Sequence, residues 1–211
     1  MKSTYILLAA AMSAIPLAAT AEEPLVAFDV AEDISRFVFA DSPVFDDGMP
    51  AYGNAFVTQG YIYPQGTLDG GVEGTLPNGA PAFPELVIGE WTCDGYFVGD
   101  GMRTETGAIV MTRQVYHFEN GDLLISHGPE LVDVDATVTR AVTGGTGDYA
   151  NAPAELDQVL LGMTDGYGVR LQIELGVDSN DAGTVNDEDH TEWDSGVPVG
   201  PLTLPAQSER S

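Results

Sequence analysis

A chain of 211 residues that is 44% hydrophobic is long enough to bury one core, and its 25 glycines and 13 prolines favour a turn-rich β protein over a helical one. Its 33 acidic residues face only 7 lysines and arginines, a formal net charge of −26 that repels phosphate backbones and anionic lipid; this excludes nucleic acid and membrane surfaces as partners. A single cysteine, Cys93, cannot close an internal disulfide, and with three scattered histidines it makes a structural zinc site untenable.

The first 21 residues read as a secretory leader. Lys2, the lone lysine of the chain, supplies a positive end, Ile6 to Leu17 is apolar apart from Ser13 and Pro16, and Ala19-Thr20-Ala21 is an A-x-A cleavage signature. Removal of residues 1–21 leaves a secreted or periplasmic protein. Residues 22–50 form an N-terminal segment and connection, with Leu25 to Phe28 and Arg36 to Phe39 as short strand candidates and an acidic, turn-rich run from Asp41 to Pro50.

From Asn54 the β signal strengthens. Asn54 to Tyr63 is aromatic and β-branched and stops at Pro64. Gln65 to Pro84 holds five glycines and three prolines and is read as a long loop covering a barrel mouth. Ile88 to Val98 is a strand that places Trp91, Cys93 and Phe97 on one face and Glu90, Thr92, Asp94 and Tyr96 on the other. Ala108 to Phe118 is the next strand. Asn120-Gly121 then predicts a type I′ hairpin, which needs positive φ at both central residues, and Asp122 to Ser126 is the return strand.

Leu131 to Thr143 alternates, with Val132, Val134, Ala136, Val138 and Val142 on one side and Arg140 as the charged intruder among them. Glu155 to Met163 is a strand, and Asp165-Gly166 turns into Val169 to Val177, whose Val169, Leu171, Ile173 and Leu175 alternate with Arg170, Gln172 and Glu174. After Val177, eight acids and three prolines with little periodicity predict a disordered acidic C-terminal tail over 178–211. Seven or eight strands in succession with no crossover helix predict an antiparallel sheet that closes on itself to remove its edges.

Ala141 to Ala152 (AVTGGTGDYANA) is the most distinctive segment: a strand, a glycine-rich corner at Gly144, Gly145 and Gly147, and Tyr149 tucked back as an apolar plug. It resembles the strand–GGTG–aromatic motif of the allene oxide cyclase-like and dirigent-like β-barrel proteins. The resemblance implies an all-β fold with a single antiparallel eight-stranded barrel over 51–177, assembled as a homodimer or homotrimer. Asp148 stands where plant relatives carry a basic residue, and Ala152-Pro153-Ala154 replaces a small-residue–Arg–Gly run, so no catalytic residue is carried over and the catalytic residues stay unknown.

Other motifs point elsewhere than catalysis. The GGTG has no following lysine and no βαβ context, so it is neither a P-loop nor a dinucleotide loop. The acidic run Asp178 to Asp189 mimics an EF-hand loop incompletely, with Ala182 at its fifth position. No Gly-x-Ser-x-Gly marks a nucleophile. No metal and no cofactor is expected. Cys93 reads as a buried, inert thiol unless Arg113 or His117 of the next strand lies beside it. Arg140, on an apolar stripe, marks a pocket or a structural ion pair.

The expected function is a lumen that binds a small hydrophobic or aromatic molecule, steering an isomerisation, cyclisation or coupling by shape and orientation. Trp91, Cys93, Phe97, Arg113, Tyr116 and Arg140 are its expected ligand-binding residues. The alternative is a non-enzymatic exported oligomeric scaffold whose barrel is packed solid. The contents of the lumen separate the two.

Overall fold

The computed structural model describes residues 26–164, Gly166 and 168–176, and shows one closed β-barrel. The expected leader over 1–21 and the expected disordered tail over 178–211 both lie outside the described residues. Nine strands follow one another: β1 (Ala27–Glu32), β2 (Val38–Phe39), β3 (Ala55–Pro64), β4 (Gly89–Phe97), β5 (Ala108–Phe118), β6 (Leu123–Leu131), β7 (Thr137–Gly145), β8 (Glu155–Met163) and β9 (Val169–Leu175). All pairings are antiparallel. Sheet order runs β1-β9-β8-β7-β6-β5-β4-β3, and β1 pairs with β3 to close an eight-stranded barrel; β2 is an extra short strand on the rim of β3.

The barrel begins earlier than the sequence reading placed it. Phe28, Asp29, Val30, Ala31 and Glu32 are a full stave between β3 and β9, so residues ahead of position 51 supply one of the eight walls. Closure brings backbones close at this seam. Gly60 sits there because a Cβ would collide with the Ala31 carbonyl oxygen.

Two sequence expectations about turns are corrected. In the β5–β6 hairpin only Gly121 has positive φ (90°), and Asn120 does not. The turn is therefore not type I′; the Asn120 side chain instead accepts from Asp122 N at 3.0 Å. The alternating run Leu131 to Thr143 is not one strand. Residues 132–136 turn between β6 and β7, with Asp135 at φ 63° and Val134 exposed. Valine alternation mimicked a strand there because its period survives in sequence even where the chain bends.

The glycine corner behaves as read. Gly147 has φ 56°, and a Cβ would strike the Asp122 carboxylate, which accepts from Asp148 N at 3.0 Å. The chain then folds Tyr149 inward, stacked on Phe118 at 4.7 Å between ring centroids.

The main core lies inside the barrel. A second, smaller core lies on the outer wall, where Ala31, Tyr63 and Leu68 pack with Tyr61, Phe83, Val87 and Leu161. The long loop of residues 65–88 covers that wall and not a mouth. Three contacts strap it down: Leu68 N donates to Asp29 (2.9 Å), Tyr63 Oη donates to Gly74 O (2.6 Å) and Arg170 donates to Val72 O (3.1 Å). Burial raises the Asp29 carboxyl above its usual range, opposed chiefly by the Leu68 N–H.

Candidate functional site

Strand alternation sends one residue in two into the lumen, and the two ends of the lumen are filled differently. At one end Phe28, Ile62, Phe118, Leu124, Tyr149 and Leu175 close the space. Phe28 meets Tyr116 and Phe118 edge-on, at 5.0 and 5.4 Å.

At the other end the staves leave a cavity of about 230 Å³. Phe56, Trp91, Phe97, Val110, Leu160 and Leu171 form its apolar walls. The connection between β1 and β3 crosses the mouth, contributing Ile34, Phe37, Phe39, Met49 and Pro50, and Met102 joins from the turn after β4. That connection is pinned by Asn54, which donates to the Ala40 and Pro43 carbonyls and accepts from Ala40 N, and by Met102 N, which donates to Pro50 O at 2.9 Å. Segment 33–53, of which the sequence marked Asp41 to Pro50 as a connection and Arg36 to Phe39 as a short strand, is therefore the roof of the cavity.

Two carboxyls face this apolar space. Glu32 ends the inward row Phe28–Val30–Glu32 of β1; Thr58 Oγ1 donates to its Oε1 (2.6 Å) and Val169 N to its Oε2 (2.8 Å). Burial pushes Glu32 up from its ordinary 4.5 to about 7, against these two hydrogen bonds, and the charge of Glu130 adds to the rise. Glu130 ends the inward row of β6. Its Oε1 accepts from Thr112 Oγ1 (2.5 Å), Gln114 Nε2 (2.8 Å) and Cys93 Sγ (3.5 Å).

Beneath the cavity lies a buried polar layer that separates it from the packed end. Arg140 reaches across the lumen from β7, donating to Ser126 Oγ (3.2 Å), Gly128 O (3.1 Å), Pro129 O (2.9 Å) and Thr112 Oγ1 (2.9 Å), and lies 3.9 Å from Glu130. Gln114 bridges to Gln158 (2.9 Å) and accepts from Tyr116 Oη. One buried donor is left over beside this layer: the Trp91 side chain is 1% exposed, and its Nε1 has no hydrogen-bond partner among the described residues.

Of the six expected ligand residues, the structure brings Trp91, Cys93 and Phe97 together on the cavity wall. Tyr116 and Arg140 point into the lumen but sit in the polar layer, below the cavity lining. Arg113 faces outward, with its guanidinium 2.8 Å from Asp94 Oδ1 on the exposed surface. It therefore cannot activate Cys93, whose thiol burial pushes well above its usual value. Glu32 and Glu130 were missed. Glu32 carries the parity of Phe28 and Val30, the signal that could have found it. Glu130 shares the parity of Leu124 and Ser126, but Gly128-Pro129 reads as a turn in sequence.

With the geometry in hand, comparisons place the fold. No family model matches the chain, and no curated protein matches it. The pterocarpan synthase dirigent protein PsPTS1 superposes with a TM-score of 0.51 at 11% identity, over 71% of this chain and 90% of that one. The pterocarpan synthase dirigent protein GePTS1 gives 0.52 at 11% identity, over 71% and 85%. The barrel is dirigent-like in fold. A pyocyanin demethylase covers 71% of this chain and 98% of its own at 16% identity, with a TM-score of 0.43. At such identities the likeness speaks for the dirigent-like barrel alone, and the residues of the cavity carry the rest.

Proposed function

We propose that this is an exported small-molecule-binding barrel, which takes an apolar or aromatic ligand in the cavity at its open end and holds Glu32 against that ligand as a proton-exchanging group. The observation that carries the reading is the cavity itself: a largely apolar space of about 230 Å³ with a carboxyl on its wall whose pKa lies near 7. A dry apolar cavity of about 150 Å³ accommodates benzene, so this one suits one or two rings. A carboxyl that changes charge near neutral pH can give or take a proton at a bound ligand without a covalent nucleophile, which suits an isomerisation or cyclisation.

The scaffold reading draws support from the packed half of the lumen. It leaves unexplained why an apolar cavity is kept at the other end with a buried carboxyl against it, an arrangement that costs stability. Filling the mouth tests the proposal. Met102→Trp should lower the affinity for two-ring aromatics by at least about tenfold while the fold, followed by circular dichroism, persists. Wild-type protein that binds no one- or two-ring compound in a saturable manner would sink it.

A further inference from the structure

The polar groups around the cavity are unequally committed. Both oxygens of Glu32 are engaged, Oε1 by Thr58 Oγ1 and Oε2 by Val169 N. Glu130 is lopsided: its Oε1 accepts from Thr112 Oγ1, Gln114 Nε2 and Cys93 Sγ, whereas its Oε2 accepts from no described residue. That second oxygen is not sealed in. The side-chain atoms that are both inaccessible and unpartnered among the described residues are Asp29 Oδ1, Trp91 Nε1 and Arg170 Nε, so Glu130 Oε2 keeps accessible surface. Glu130 as a whole is 7% exposed and lines the cavity, so that surface opens on the cavity. A largely buried carboxylate oxygen with spare lone pairs is costly unless something supplies a donor.

We propose that Glu130 Oε2 is the polar recognition point of the cavity, and that the ligand is a one- or two-ring molecule carrying a basic nitrogen whose N–H donates to it. This rests on the reading of the cavity as a ligand site. Three observations converge on that class. The cavity volume limits the ring count. The open acceptor calls for a donor on the ligand, and a charged donor makes the stronger bond to a carboxylate. The charge around the cavity favours a cation: among the described residues its charged lining is Glu32 and Glu130, which repel an anion and attract an ammonium, and desolvation strengthens both effects. Arg140 does not already serve this oxygen. Its guanidinium is spent on Ser126, Gly128, Pro129 and Thr112, and its nearest approach to Glu130 is 3.9 Å, to Oε1.

Tetralin and tetrahydroisoquinoline, nearly identical in shape, differ in one ring position, a methylene in the first and a protonated amine in the second, and so isolate the contact to Glu130. Each is titrated by NMR into the full-length protein and its Glu130→Gln variant at pH 8. In the variant the amide oxygen can keep the donors of Thr112, Gln114 and Cys93, which puts an NH2 where the open acceptor was. The variant should lose at least about tenfold in amine affinity while tetralin stays within about twofold, the size of one hydrogen bond to a charged group. Glu32→Gln removes a charge but not the open oxygen, and should cost the amine less than Glu130→Gln does. Equal losses for both compounds, no loss for either, or a larger loss from Glu32→Gln overturn the proposal and leave the cavity reading standing. Wild type that binds tetralin and not the amine does the same. Wild type that binds neither compound overturns the cavity reading and the proposal together. Should Glu130→Gln not fold, the side-chain carboxyl carbon resonance of Glu130 in wild type decides: a shift with the amine and not with tetralin supports the assignment, and equal shifts, or none, overturn it.

Discussion

The two ends of this barrel are built from the same eight staves and the same alternation, yet one is filled and the other is hollow. At the filled end the inward positions are large and interlock: Phe28, Phe118 and Tyr149 share ring contacts, and Leu124, Leu156 and Ile173 are fully buried around them. At the hollow end the inward rows of β1 and β6 finish on carboxylates, and the covering comes from a loop connection and a single turn instead of a plug such as Tyr149. Between them the Arg140 layer satisfies every hydrogen bond that a crossing guanidinium needs. The comparison teaches that stability and binding are separated along one axis: aromatic packing holds the tube shut at one end, so the other end can carry buried acids and empty space.

The contrast can be broken most forcefully at the filled end. Phe28→Ala should destabilise by about 3–5 kcal/mol in urea unfolding, whereas Ile34→Ala in the roof should cost about 1 kcal/mol, because its side chain already borders space. The dividing layer is the next test. Arg140→Met removes the cation beside Glu130 and leaves that carboxylate buried and uncompensated, so it should cost about 3–5 kcal/mol, with part recovered in the Arg140→Met, Glu130→Gln double variant.

At the hollow end the sign reverses. The folded pKa of Glu32, about 7, lies above its ordinary 4.5, so the folded state binds this proton more tightly. The favourable contribution is complete below about pH 4.5 and is lost as the pH climbs to about 7. Glu32→Gln removes that loss. It should be nearly neutral at pH 4 and stabilising by up to about 3 kcal/mol at pH 8, checked by denaturant unfolding at the two pH values. A smaller effect is expected at the corner: Gly147→Ala should cost about 1–2 kcal/mol through its positive φ and the displaced Asp122 carboxylate. Smallest of all, Arg113→Ala on the outer wall should change stability by less than about 1 kcal/mol and leave ligand affinity unaltered.

Much of the filled end was legible in sequence, and its features are local ones. The glycine corner with Tyr149 as its plug, and the sets of residues that share a face on β9, follow from one glycine-rich motif and from period-two patterning. The hollow end was harder to read because its parts are assembled from far along the chain. The roof comes from residues 33–53, where the turn-rich run Asp41 to Pro50 signals only a connection. The stave β1 is short, and Glu32 becomes an inward residue only once β1 is paired with both β3 and β9. Arg113 shows the converse limit. Alternation alone fixes which residues share a face, and the bulk of Trp91 and Tyr116, not charge, decides which face turns in.

The most direct test of the account is a methyl-resolved NMR titration with naphthalene that reads both ends at once. The account predicts that Met49, Met102, Ile109 and Leu160 at the hollow end shift together and saturate, while Leu124, Leu156 and Ile173 at the filled end stay still. Shifts spread equally over both ends, or confined to the outer wall around Leu68 and Val87, would contradict it.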